Sequence, residues 1–557
     1  MRSCFVILML VVPVLCSAEE TCGEKERAEL LQVIDAAVKA TRFMKPDDTD
    51  LILLEAASYQ SCFRNYDQAK KLADQIQDEE DRSYAFYSIA ISYARHGNPA
   101  QAVLLADSTT RKGEVLEHIA IWQAKQGDFA GALKTIDLIQ DDLILRDNGV
   151  TKADWIRGYA LLEVAILQAK AGNQNASLKM TDQAKILLKN YHDYVSVIGK
   201  LAEAYAYAGN LEEGSRWFKL LKENHKDSLP FMLTDVALGY ATAKKYEMAF
   251  QLVKQHPDSS ELGATIHSVG MLLLSRGDIE RALELLSIPE EKWWQDDLLF
   301  ELVKWSIKQQ QPGKALKYVD QFDTNSTRLR IRSLLNIAEL QHTLNQPLEA
   351  EKTSQQAHEL IEAARNDHKL FAELQTDRAA YQLRHKNVKA AQSSLQAALK
   401  AARQINYTKS FSGDFYHPLQ EIFQGQVQAG DIPGAKETLS FALEVLPQMK
   451  KAHGGFPVYV SNLKPDIVAC YVEIGDLNTA LKITTAEKNN DSFFTVIGET
   501  LGRKGDLAAA MKWCQQSVPD AMKARVLICI ARGAIKSRGC DCDDPFQRIW
   551  DNAPWAI

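Results

Sequence analysis

Proline and glycine are scarce in this chain, 16 and 28 among 557 residues. That scarcity excludes a loop-rich β protein and long disordered tracts of the proline- and glycine-rich kind. A basic excess is missing too. The formal net charge is -7, which argues against a nucleic-acid-binding protein. Cysteines are few and scattered, so disulfides do not build the scaffold. Beyond the first residues no apolar run is long enough for a transmembrane helix. Motifs of catalysis and ligand binding are absent: no H-E-x-x-H, no phosphate loop, no G-x-G-x-x-G after a strand, no EF-hand loop. The sequence therefore implies no cofactor, no metal and no enzyme of a familiar motif class.

The first residues read MRSCFVILMLVVPVLCSAEE. One cation, Arg2, precedes an apolar run from Cys4 to Cys16, and Ser17 and Ala18 follow. This pattern predicts a signal peptide over 1–18, and hence a secreted or periplasmic protein. Loss of Arg2 would take the charge from -7 to -8. Lipid anchoring through Cys16 is the weaker alternative, because Leu15 is bulkier than the residue lipoprotein signals place there.

What is present is repetition. QAKQGDFAGALKTI, with Gly127-Asp128, has siblings at Gly277-Asp278, Gly430-Asp431, Gly475-Asp476 and Gly505-Asp506. Gly97, Gly172 and Gly209 are followed by Asn in the same setting. Diverged copies centre on Arg64, Lys244, Gln310, Asn345 and Lys386, giving 13 in all. Five residues after each turn stands a small residue, from Ala69 and Ala102 to Ala480 and Ala510. Seven residues before it, ten of the 13 are Ala or Gly. A bulky residue recurs four before the turn, as in Tyr93, Tyr205, Tyr240 and Tyr471.

Each copy reads as two helices. Leu116, Ile119 and Ala120 share one helical face, as do Phe129, Ala132, Leu133 and Ile136 after the turn. Glycine suits the left-handed end of the first helix, and Asp or Asn caps the second. Small residues belong where the helices cross. One apolar face per pair stays open until a neighbour covers it, so the pairs should stack into a solenoid.

The period, the Gly-Asp/Asn turn and the two small-residue columns resemble the tetratricopeptide-repeat superfamily, in a degenerate form of the exported bacterial type. The resemblance implies an all-α, right-handed α-solenoid of about 13 repeats over residues 51–520. A helical cap is expected at 19–50, a capping helix at 521–537 and a tail at 538–557. Longer connections are expected near 140–157, 406–418 and 447–465. The proline that closes repeats in that superfamily is in register only at Pro447.

The resemblance further implies a non-catalytic scaffold that holds a protein or peptide along its concave surface. One column, two residues before each turn, would look into that groove. It includes Arg95, Lys125, Lys170, Tyr207, Lys308 and Arg384, and its six cations against one acid would favour an acidic segment. The same cations would also complement helix C-termini, a purely structural role. Two other functions have a counterpart in single features of the sequence. One is an enzyme or enzyme subunit with its site on the 406–465 insertions, where His453-Gly454-Gly455-Phe456 resembles an oxyanion loop. Its nucleophile elbow would have to be Gly498-Glu499-Thr500-Leu501-Gly502, which has threonine for serine. The other is a cell-surface adhesin using Arg276-Gly277-Asp278. Cys22 and Cys62 are the candidate disulfide, against two independent thiols. Cys540 and Cys542 are read as an incidental feature of the tail, where Trp550 and Trp555 also lie.

Overall fold

Thirteen left-handed residues punctuate the chain, and they organise everything between them. In a computed structural model, residues 23–140, 152–225, 229–255, 262–288, 292–407, 416–452, 457–487 and 490–538 are described. Among these, positive φ occurs at Arg64, Gly97, Gly127, Gly172, Gly209, Lys244, Gly277, Gln310, Asn345, Lys386, Gly430, Gly475 and Gly505. These are the turn positions of the sequence repeat. Five of them carry side chains that are strained in this conformation, so the turn is kept even where glycine is not.

The described residues form helices and no strand. The first are α1 (Glu24–Ala40), α2 (Pro46–Cys62), α3 (Tyr66–Ala73), α4 (Glu79–Arg95), α5 (Pro99–Ala106), α6 (Lys112–Lys125) and α7 (Phe129–Asp137). Next come α8 (Lys152–Lys170), α9 (Gln174–Leu187), α10 (Val195–Tyr207), α11 (Leu211–Asn224), α12 (Leu229–Thr242), α13 (Tyr246–Lys254) and α14 (Leu262–Ser275). These are followed by α15 (Ile279–Leu285), α16 (Lys292–Lys308), α17 (Pro312–Val319), α18 (Thr327–Thr343), α19 (Pro347–Ala363), α20 (His368–Arg384) and α21 (Val388–Ala402). The last are α22 (Tyr416–Gln428), α23 (Ile432–Ala452), α24 (Pro457–Glu473), α25 (Leu477–Thr485), α26 (Asp491–Arg503), α27 (Leu507–Ser517) and α28 (Asp520–Ser537). From α2 to α27, even-numbered helices end at a turn and odd-numbered helices begin after it.

The backbone turn recurs, with a side-chain cap in many copies and none at Asn65, Asn173, Lys245, Gln311 and Gln346. The Asp128 amide donates to the Gln123 carbonyl at 2.8 Å and the Gly127 amide to Ala124 at 3.0 Å. This crossed pair satisfies carbonyls left open at a helix end. Asp128 then accepts from the Gly131 amide at 2.8 Å, and Asp431 from Gly434 at 3.0 Å. Both small-residue columns are buried, from Ala57, Ala90 and Ala120 to Ala435, Ala480 and Ala510. They sit where the paired helices cross, and a larger side chain there would separate the backbones.

Two expectations about chain breaks need correction. The sequence predicts a long connection over 447–465, yet α23 runs through Pro447 to Ala452 and α24 begins at Pro457 and contains Pro465. Pro447 therefore closes no repeat. A proline forfeits one helical hydrogen bond and bends the helix, but long flanking turns can carry it. The 140–157 connection is also shorter than expected, because α8 already starts at Lys152. Residues 408–415, His453-Gly454-Gly455-Phe456 and the tail from 539 lie outside the described residues.

The helices form two compact units. One comprises residues 112–467, the other joins residues 1–111 to 468–557. In the second, α28 packs against α26, α1 and α2, so the first and last described helices share one core. Glycines permit this closeness. A Cβ on Gly502 would lie 2.0 Å from the Ile530 carbonyl oxygen, and one on Gly533 would lie 1.9 Å from that of Glu499. The Gly498–Gly502 stretch is thus a packing seam for α28 and not a nucleophile elbow. Arg538 fastens the same seam, donating to the Glu26 carbonyl and the Glu29 carboxylate, each at 3.1 Å.

Candidate functional site

The tripeptide Arg276-Gly277-Asp278 is spent on the turn. Arg276 donates to the carbonyls of Ala241 and Thr242, at 2.8 and 3.2 Å, at the end of the preceding first helix α12. Asp278 accepts from the Arg281 amide and pairs with its guanidinium.

The cation column is for the most part occupied within the protein. In the 112–467 unit, Lys125 lies over the Trp122 ring at 4.9 Å. Lys170 lies over Tyr207 at 4.8 Å, and Tyr207 is only 2% exposed. Its ring is therefore covered. Arg384 on α20 reaches Glu339 on α18 at 2.6 Å and Asn336 at 3.3 Å. Lys308, at the end of α16, is exposed. Arg95 ends α4 in the other unit and is half-buried. The structure thus brings Lys170 and Tyr207 together.

One turn or more deeper on the same first helices lies a set of groups that the repeat alignment did not single out. Lys200 on α10 sits between Glu163 on α8, at 2.6 Å, and Glu203, at 2.9 Å. Burial works against its charge, yet the two carboxylates hold its pKa above the ordinary lysine value. Glu117 on α6 has no cation beside it. Burial, then Glu114 and Glu163, push its carboxyl up to about 8. Burial also raises Asp235 on α12, against the pull of Lys200 and Lys170. Tyr159 is pushed up to about 12, chiefly by burial. Among the described residues around Lys200, the four carboxylates Glu117, Glu163, Glu203 and Asp235 face only Lys200 itself and, from α8, Lys170.

Further along, Arg328 on α18 gathers carboxylates from two later helices. It reaches Asp377 at 3.0 Å and Glu373 at 3.1 Å on α20, and both Glu421 oxygens on α22 at 2.9 Å. Burial raises Glu373 and Asp377, and Arg328 opposes it. First helices of three successive pairs are thereby tied through one guanidinium, whose planar fork suits several acceptors.

Cys62 is disulfide-bonded, while Cys470, Cys514 and Cys529 are not cross-linked. Cys22 lies outside the described residues, as do Cys540 and Cys542. Burial pushes the Cys514 and Cys529 thiols up to about 12, which keeps them unreactive at neutral pH. Among the described residues no cluster of three His, Cys, Asp or Glu side chains could hold a metal ion, and no helix is long and apolar enough to cross a membrane.

No protein-family model and no curated protein matches the sequence. Solved structures do show a likeness. Yeast Tom70 aligns at 12% identity, TM-score 0.27, over 91% of this chain and 100% of its own. The pentatricopeptide repeat protein PPR10 from maize aligns at 12% identity, TM-score 0.25, over 92% and 93%. Ton1535 from Thermococcus onnurineus aligns at 15% identity, TM-score 0.23, over 55% and 98%. The scores are low, and the architecture stands on its own helices and turns. The chain is an all-helical repeat protein similar to the tetratricopeptide-repeat superfamily.

Proposed function

We propose that this protein is a non-catalytic scaffold, exported from the cytoplasm, that holds a segment of another protein along the inner surface formed by its first helices. The observation that carries this reading is the surplus of half-buried carboxylates around Lys200. Glu117, Glu163, Glu203 and Asp235 come from four successive first helices, and burial raises Glu117, Glu203 and Asp235. Such groups are poorly solvated and gain most from an arriving cation. The bound segment therefore carries lysine or arginine at this place.

The cation column alone would favour an acidic segment. Lys125, Lys170 and Arg384 already rest on Trp122, Tyr207 and Glu339, which weakens their claim on a partner. Export is supported by the pattern of residues 1–18 and by the disulfide at Cys62, a bond that persists in oxidising compartments.

Fluorescence anisotropy with a lysine- and arginine-rich peptide and a glutamate-rich counterpart tests the reading. Binding of the cationic peptide should fall at least about fivefold in a Glu117→Gln/Glu163→Gln variant and weaken with salt. Preference for the acidic peptide, lost in an Arg95→Gln/Lys125→Gln/Lys170→Gln variant, would reverse the sign of the partner.

A further inference from the structure

A pocket of about 650 Å³ opens among the end of α19, α20 and the second helix α21. It shares no residue with the carboxylate cluster around Lys200. Its volume is that of a small-molecule site. Its floor is apolar, with Phe371 and alanines of α21. Its charged groups are mostly cationic. Arg378 and Lys400 line it, and among the described residues neither has an acidic partner. Arg365 lies 5.9 Å over the Phe371 ring and is neutralised by Glu362. Glu362 is the one acid of the lining.

The independent sign is Gln375. Its side chain lines the pocket, is only 3% exposed, and makes no hydrogen bond within the described protein. Its amide atoms are not sealed off from solvent, so they open onto the cavity, where water or a ligand satisfies them. A second gap between neighbouring second helices, α11 and α13, encloses about 580 Å³. There the buried Tyr240 has a hydroxyl partner in Ser215 at 3.4 Å, and Lys219 pairs with Glu223 at 3.7 Å. Gaps of this kind therefore recur, but unanswered polarity of this kind marks only the first of the two.

We propose that the α19–α21 pocket binds a small organic oxyanion, with phosphate or carboxylate oxygens on Arg378 and Lys400, a polar atom on the Gln375 amide, and a ring or hydrocarbon body against Phe371. Arginine offers the fork and lysine the point charge that such oxygens take.

Isothermal titration of the full-length mature protein tests this with phenyl phosphate, phthalate and inorganic phosphate. One equivalent of phenyl phosphate or phthalate should bind with Kd below about 1 mM, more tightly than inorganic phosphate. Which of the two wins separates a phosphate from a carboxylate ligand. Arg378→Gln and Lys400→Gln should each weaken binding about fivefold or more. Gln375→Met should weaken it without lowering the melting temperature. Lys400 is exposed, so its variant keeps the test open should Arg378→Gln fail to fold. Absence of binding by both aromatic probes overturns the proposal. So does binding unchanged in Lys400→Gln and Gln375→Met, or inorganic phosphate binding as tightly as phenyl phosphate.

Discussion

Arg532 on α28 donates to the Glu55 carboxylate on α2 at 2.6 Å, across 477 positions of sequence. Glu55 is 6% exposed, so the contact joins the last helix to the second in a poorly solvated place. Removing one member of such a pair leaves a stranded charge. Arg532→Met should lower stability by about 3 kcal/mol, and Arg532→Met/Glu55→Met should recover part of it. Denaturant unfolding of the three proteins checks this. An unchanged midpoint in the single variant would remove the pair from the account of how the chain ends are held.

Arg328 does comparable work within residues 112–467. Without it, Glu373 and Glu421 would lose their guanidinium, and Asp377 would keep only Arg332 at 3.8 Å. Arg328→Met is expected to destabilise by about 3 kcal/mol, and most strongly at high pH, where all three are ionised. Arg328→Lys should restore only part, because an ammonium cannot reproduce the fork. Urea titrations at two pH values, one acidic and one alkaline, measure both effects.

Glu117 gives a pH dependence of opposite origin. Its folded-state carboxyl is raised, from 4.5 to about 8. The folded protein thus keeps a proton that the unfolded chain releases. Its favourable contribution is complete below pH 4.5 and is lost as pH rises through 8. Glu117→Gln should flatten that decline. Above pH 8 it should be the more stable protein by at least about 1 kcal/mol, with the difference vanishing in acid. Midpoints measured across this window decide it.

Peptide mapping without reduction addresses the cysteines. Cys62 should appear cross-linked, and Cys22 is the partner we propose. Cys514 and Cys529 should take up alkylating reagent only after unfolding, since both are buried.

Much of this molecule was legible in one dimension. The turn residues announced themselves because a helix end, a left-handed residue and a cap recur in order, even where Arg64 or Lys386 stands for glycine. Ala102 and Ala391 were legible as crossing points because little else fits between close helices. Pro447 misled, since a proline reads as a stop and the helix runs on through it. Gly498 was legible as a member of the small-residue column, but the close approach of Gly502 to α28 is a fact of three dimensions. The Arg328 cluster was invisible, because its members lie 45 to 93 positions apart and meet only once three pairs have stacked. The pocket at Gln375 was hidden for the same reason. A glutamine is unremarkable in sequence, and its missing partner is a fact of three dimensions.

Hydrogen exchange with and without a saturating lysine- and arginine-rich peptide tests the proposed binding face most directly. The account predicts that new protection falls on α6, α8, α10 and α12, around Glu117, Glu163, Lys200 and Asp235, and that it disappears in Glu117→Gln/Glu163→Gln. Protection confined to the second helices α7, α9, α11 and α13, or no protection anywhere at saturation, would contradict it.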